Sequence, residues 1–292
     1  MRRKVSAGIL ILMIIVGLAL LLYPTVSDYI SSLTYRRAIA DFQSAVEELD
    51  EEVYEDLLVS AREYNARLAA MGGSMLTLDE EWMEEYLSLL DFTGTGIMGY
   101  IEIPKINVYL PIYHGTSDAV LQSGVGHLEG SSLPTGGART HMVLSGHRGL
   151  PSATLFTNID QLVEGDTFTV RVLREALTYE VDDITVVLPY EVSSLRIEPG
   201  RDYCTLLTCT PYGVNTHRLL VRGHRIPTPV ENVEPPAIAT DPISILMPND
   251  RELFGEDAQF ILLLIAAVLL VQLVLIVLLV RRRRRKRKEQ EQ

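Results

Sequence analysis

The chain has 292 residues, a formal charge of −12 and 47% hydrophobic residues. Two almost wholly apolar runs, residues 5–23 and 260–280, reach the roughly 18–20 residues of a bilayer-spanning helix, which argues against a purely soluble protein. The charge is partitioned: +3 ahead of the first run (Arg2, Arg3, Lys4), +6 in the tail 281–292, and so −21 in residues 24–259, the one part long enough to bury a core.

Basic flanks prefer the cytoplasmic side of a membrane. Both termini are therefore expected inside, with the acidic middle displayed outside. The basic tail 281–292 directly abuts an apolar span, which reads as a stop-transfer anchor, not as a nucleic-acid-binding arm. Leu21-Leu22-Tyr23-Pro24 offers no small-x-small cleavage site, so the first span, 1–23 with its flank, is expected to stay as an anchor.

Residues 24–95 read as an acidic helical segment. Phe42, Val46, Leu49, Val53, Leu57 and Leu58 recur at helical spacing, and Tyr64 and Leu68 continue the pattern to a break at Met71-Gly72-Gly73-Ser74. A second short helix is expected over about 79–90, with Asp79 as its cap and Glu80 and Glu81 in its first turn.

After Gly94-Thr95-Gly96 the pattern becomes β. Short strands are expected around 101–110, 142–144, 168–173, 177–187, 203–209 and 219–221, separated by Gly, Pro and Asp turns. Strands without interleaved long helices predict a mainly β fold, a sandwich or barrel, over 96–226. Residues 227–259 hold six prolines and read as a linker to the second span, 260–280.

The two cysteines, Cys204 and Cys209, lie on one expected strand. Five residues of extended chain put their Cα atoms about 16 Å apart, whereas a disulfide requires less than about 7 Å. Odd spacing also sends them to opposite faces. At least one is therefore a free thiol in an exported domain. Cys204, inside the strand, reads as a small core residue. Cys209 sits at a strand end, before the turn Thr210-Pro211-Tyr212-Gly213, where a side chain can reach a cleft.

All six histidines, His114, His127, His141, His147, His217 and His224, lie in the β-domain, and none forms a compact metal-ligand pair. His147 follows the apolar strand Val143-Leu144-Ser145 between two glycines. Arg218 opens the strand after the Cys209 turn, so an antiparallel return brings it close to Cys209. A thiol, an imidazole and a guanidinium at strand ends suit covalent acyl transfer. The thiolate attacks, the imidazole moves the proton, and the guanidinium hydrogen-bonds a developing oxyanion.

The run Thr205-Leu206-Leu207-Thr208-Cys209 resembles the T-L-x-T-C signature of sortases. So do Leu144-Ser145-Gly146-His147-Arg148-Gly149-Leu150-Pro151 and Thr210-Pro211-Tyr212-Gly213-Val214-Asn215-Thr216-His217-Arg218, in the same order. The resemblance covers about 96–226 and is nearest to class C, the pilus-assembling sortases. It implies an eight-stranded sortase β-barrel with Cys209 as nucleophile, His147 as general acid/base and Arg218 as stabilising cation. No metal or organic cofactor is implied. Also implied is cleavage of an LPXTG-like sorting signal between Thr and Gly, then transfer to a lysine amine of the next pilin subunit or to a cell-wall precursor. The family's usual lid carries Asp-Pro-aromatic; this chain has Asp79-Glu80-Glu81-Trp82 instead. Asp79 and Trp82 therefore stand either as a variant plug or as a helix cap and a packing residue.

Four other readings are separable. A sorting substrate would carry an LPXTG-like pentapeptide before its last span, and residues 240–259 contain none. A cysteine protease would pass the acyl group to water instead of an amine. A membrane-anchored binding module would not need Cys209. A housekeeping-type sortase, attaching proteins to peptidoglycan precursor, differs from the pilus type only in its acceptor. The localisation implied is the cell membrane of a Gram-positive bacterium, two-pass, with the catalytic domain outside.

Overall fold

A computed structural model describes residues 2–71 and 78–229, with side chains from residue 13 onward. Four helices are described: α1 (Arg2–Glu47), α2 (Glu51–Ala70), α3 (Glu80–Ser88) and α4 (Asp118–Ser123). The eight strands are β1 (Ile97–Ile103), β2 (Val108–His114), β3 (Val125–His127), β4 (Thr140–Ser145), β5 (Thr167–Val172), β6 (Glu175–Val187), β7 (Asp202–Thr210) and β8 (His217–Ile226). The expected second span, tail and linker from residue 230 onward lie outside the described residues.

The N-terminal region departs from expectation in two places. The apolar run does not end in a separate segment: α1 continues through Pro24 to Glu47. Proline forfeits one i→i−4 bond, but beyond it Tyr35, Ile39, Phe42 and Val46 form a buried stripe at helical spacing that holds the helix on the barrel. The amphipathic stretch expected to run unbroken to Met71 is instead interrupted at residues 48–50. Asp50 has extended backbone angles there, and Glu51 and Glu52 fill the first turn of α2, where negative charge is favourable.

The strands close into a barrel in the order β1-β2-β3-β4-β7-β8-β6-β5, with β5 pairing back to β1. This is the mainly β, eight-stranded fold expected. Its interior is apolar: Ile101, Ile103, Ile112, Leu144, Val170, Leu206 and Val221 are each wholly buried. Gly94 and Gly96, both at positive φ, make the turn that leads into β1.

Among the side chains that tie the helices to the barrel are Asn65 and Tyr86. Asn65 of α2 is buried, donating to Leu133 O and Thr135 Oγ1 and accepting from Leu133 N. Tyr86 of α3 donates to His127, 3.0 Å from its Nδ1, and accepts from Gly115 N. With Nε2 of His127 2.8 Å from Ser132 O, the ring is a neutral imidazole protonated on Nε2. Complete burial pushes the His127 pKa down to about 4, against an opposing raise from the Ser132 hydrogen bond.

Candidate active site

β4 and β7 run parallel, so their C-terminal ends lie at the same end of the barrel. Their ladder closes with Ser145 opposite Leu207. Beyond it Gly146 N donates to Leu207 O at 3.1 Å, and Thr208 Oγ1 donates to Gly146 O at 2.7 Å. His147 follows directly, so the loop that carries it leaves β4 beside the last residues of β7. β8 returns antiparallel on the other side of β7 and pairs Arg218 with Cys209. Cys209 thus lies near the end of β7 between the exit of β4, after which His147 follows, and the start of β8, where Arg218 is its direct partner.

Strand alternation decides which way each group faces. Cys204, Leu206 and Thr208 turn into the barrel and are almost wholly buried. Leu207 and Cys209 turn outward, as does Leu220, two residues beyond Arg218 on β8. On this outer face Val143, Leu195 and Leu220 form a small apolar cluster flanked by Leu128, Val187 and Leu207. Val187 pairs with Arg218 on the far side of β8. Cys209, partly exposed, therefore lies on the same face of the sheet as a small buried apolar cluster outside the barrel.

The two cysteines are both free. Burial pushes the Cys204 thiol well up, helped by the nearby Asp202 carboxylate, which leaves it protonated and inert. Three histidines are also consumed by structure. His127 is bonded as described, His114 lies against Leu89 O and Gly96 O, and His141 bridges Arg196 O and Thr205 Oγ1. Burial lowers the pKa of His141 as well. His224 is paired with Tyr203 at the opposite end of β7, and His217, opposite Thr210, alternates to the face away from Cys209.

Arg218 Nη1 donates to Asn215 O and His217 O, within the turn that precedes it. Those bonds fix the guanidinium while Nε and Nη2 have no protein partner among the described residues. Asn215 and Gly213, both at positive φ, shape that turn.

One residue that sequence reasoning passed over bridges the two halves of the site. Arg148 follows His147, and its side chain is only 11% exposed. Its guanidinium pairs with Asp160, reaches Thr210 Oγ1 at 3.4 Å and lies 5.9 Å from the Tyr212 ring centre. Tyr212 in turn closes on Gly149, where a Cβ would come within 2.9 Å of the ring. Gly146 is similarly required, since a Cβ there would lie 2.6 Å from Phe156. The His147 loop is thus packed against the Cys209 turn. The sequence signal was the Gly-His-Arg-Gly run itself, in which the arginine is as constrained as the histidine.

Asp79 and Trp82 are both engaged at α3. Asp79 accepts a hydrogen bond from Trp82 N at 3.0 Å and caps α3. The Trp82 ring packs edge-on to Tyr64 at 5.2 Å and under the Arg67 guanidinium at 5.1 Å. Residues 72–77, just before them, lie outside the described residues.

A closed eight-stranded barrel with a thiol and a guanidinium paired across its last two strands, and an imidazole in the loop that leaves the neighbouring strand, defines a class of barrel proteins built for thiol chemistry at a strand end. The sortase domain model matches residues 101–226. Sortase C1 from Streptococcus agalactiae superposes with a TM-score of 0.64 at 54% identity, covering 66% of this chain and 99% of that one. Clostridium perfringens sortase C, solved with the C-terminal cell wall sorting motif, gives 0.58 at 44% identity, covering 66% of this chain and 99% of that one. Among curated proteins, sortase D of Bacillus subtilis is 33% identical over 131 residues, 44% of this chain. That match spans 63% of the Bacillus protein, somewhat less than two thirds of its length. The chain belongs to the sortase family, and its structural matches make it a class C sortase.

Proposed function

We propose that this protein is a membrane-anchored cysteine transpeptidase that joins pilin subunits. Cys209 is the nucleophile, His147 the general acid/base and Arg218 the oxyanion-stabilising cation. The observation that carries this is the register pair Cys209–Arg218, with the exit of β4 that leads to His147 bonded beside the end of β7. Support for the substrate comes from the Clostridium enzyme solved with the C-terminal cell wall sorting motif and from the pilin substrate specificity named for Streptococcus pneumoniae sortase C, which is 42% identical with a TM-score of 0.59.

The Cys209 sulfur attacks the carbonyl carbon of the Thr–Gly bond, and the carbonyl oxygen gains negative charge beside Arg218. Collapse breaks the C–N bond, and the proton shared by Cys209 and His147 passes to the departing glycine amine. A thioester remains. A lysine amine of the next subunit attacks it, His147 takes the proton, and the thiolate leaves as the isopeptide bond forms. One amide replaces another, so the exchange requires no external energy source.

α1 carries an apolar stretch within Met13–Glu47 with a mean hydropathy of 1.7 and no burial, consistent with an N-terminal anchor. The second anchor and the cytoplasmic placement of both termini complete the proposed two-pass topology. Asp79 and Trp82 belong to this proposal as a cap and a brace for α3, in keeping with their contacts.

The test is to incubate the protein with an LPXTG-type peptide with and without an amine acceptor. Amine-dependent ligation is the expected result. Hydrolysis alone, at a rate indifferent to the amine, contradicts transpeptidation.

A further inference from the structure

We infer that the active-site end of the barrel faces the membrane, with the loops around Tyr190 and Tyr212 resting on the lipid surface. This rests on the reading of α1 as an anchor. The geometry that carries it is the direction in which α1 runs along the barrel.

Among the described residues, the first polar contacts between α1 and the barrel are made by Asp28 and Ser31. Asp28 Oδ1 accepts from Thr154 N at 2.5 Å, and Ser31 Oγ donates to Ser152 O at 3.0 Å. Both partners lie in the loop that follows His147. Asp28 and Ser31 stand five and eight residues past Tyr23, the end of the apolar run, or about 8–12 Å along a helix. Further along, Gln43 reaches Tyr100 in the middle of β1. Past the end of α1, Arg174, in the β5–β6 turn, donates to Leu49 O and pairs with Glu51, and Tyr54 of α2 donates to Glu175 at the start of β6.

The two ends of the barrel are thereby ranked by distance from the span. β6 begins at Glu175 and finishes at Val187, which pairs with Arg218. The β5–β6 turn marks the far end, and the exits of β4, β6 and β7 mark the near, active-site end. From Asp28 to Glu47 the helix climbs about 28 Å. The ordinary tilt of about 20° in a spanning helix does not reverse a separation of that size.

The near end is also the one with exposed apolar loops. Tyr190 is 75% exposed and Val192 44%, just after β6; Tyr212 is 60% and Val214 64%, just after β7. Tyrosine favours the headgroup layer, which extends about 6 Å beyond the hydrocarbon on each side. Charge does not account for the docking, because residues 24–259 carry −21 and an anionic surface repels them. The helix sets the orientation and the apolar loops complete the contact. A cleavage site standing just outside its own membrane span then meets Cys209 at the surface, and confinement of both partners raises their effective concentration.

The experiment uses the full chain in phosphatidylcholine–phosphatidylglycerol vesicles containing nitroxide-headgroup lipid. Fluorophores are placed singly at Tyr190→Cys, Val214→Cys and Arg174→Cys in a Cys209→Ala background, where buried Cys204 does not label. Flotation with the vesicles and quenching at 190 and 214 but not at 174 are expected. Floating protein with equal or stronger quenching at 174, or none at 190 and 214, overturns the orientation alone. Failure to float overturns the anchor and the orientation together. A second arm inserts an 18-residue helical segment between Val26 and Ser27 with Cys209 intact. Five whole turns raise the barrel by about 27 Å without rotating it. Soluble-peptide ligation should then hold within about twofold while ligation of a vesicle-anchored peptide falls about tenfold or more. Unchanged ligation of the anchored peptide overturns the proposal.

Discussion

Cys209 and Arg218 are direct partners across the β7–β8 ladder, one at the end of its strand and the other at the start of the next. Their relative position is set by backbone hydrogen bonds and not by side-chain flexibility. The turn between them further holds the arginine through two of its own carbonyls. A cation placed this way costs little reorganisation when charge develops on a neighbouring oxygen.

Arg218→Ala should therefore lower kcat for peptide ligation by ~10²–10³-fold, the usual effect of deleting one oxyanion donor. Arg218→Lys should recover little, because a single ammonium cannot both bond the turn carbonyls and point donors at the cleft. Steady-state kinetics with circular dichroism as a folding control measure this. Full activity in the lysine variant would assign Arg218 a charge role only.

Arg148 is expected to act on position, through His147 and Thr210. Arg148→Lys should reduce kcat about tenfold with KM little changed, as misplacement of a reacting group does. Asp160→Asn should act in the same direction, and the double variant should be less damaged than the product of the two, since they form one pair. Strict additivity in a double-mutant cycle would remove the clamp.

The burial of His127 makes stability depend on pH. The His127 pKa is about 4 in the folded state and 6.5 in its absence, so the unfolded chain binds the extra proton between those values. Stability from this site is fully present above pH 6.5 and is lost as pH falls toward 4, by up to about 3 kcal/mol. Urea melts of the soluble ectodomain at pH 7.5 and pH 4.5 measure the loss. His127→Gln should flatten the slope over that window; an unchanged slope would place the dependence elsewhere.

Asp79→Ala removes a side-chain cap and should cost about 1 kcal/mol. Trp82→Ala removes the ring that rests on Tyr64 and Arg67. Neither change should speed modification of Cys209 by a thiol reagent. A severalfold faster reaction in either variant would instead make this segment a plug over the site.

Much of the site is legible in the sequence because it is local. Odd spacing separates Cys204 from Cys209 by face, and the Thr-Pro-Tyr-Gly turn brings Arg218 back beside Cys209. The barrel strands were visible wherever apolar alternation was clean, as in β7, but β8 runs well past 219–221 because Arg222, His224 and Arg225 carry polar side chains on a paired strand. The Arg148–Asp160 and Tyr86–His127 contacts were not legible. Each joins residues whose adjacency depends on how an irregular loop or a distant helix settles. The same is true of the break at residues 48–50, where tertiary packing outweighs a continuous helical pattern.

The most direct measurement is intact-mass and peptide-mapping analysis of the purified protein mixed with an LPXTG-type peptide in the absence of amine. A thioester adduct equal to the peptide cleaved after Thr, mapped to Cys209 and lost in Cys209→Ala, is the expected result; Cys204→Ala should still form it. An adduct on another residue, or amine-dependent ligation that survives Cys209→Ala, would contradict the assignment.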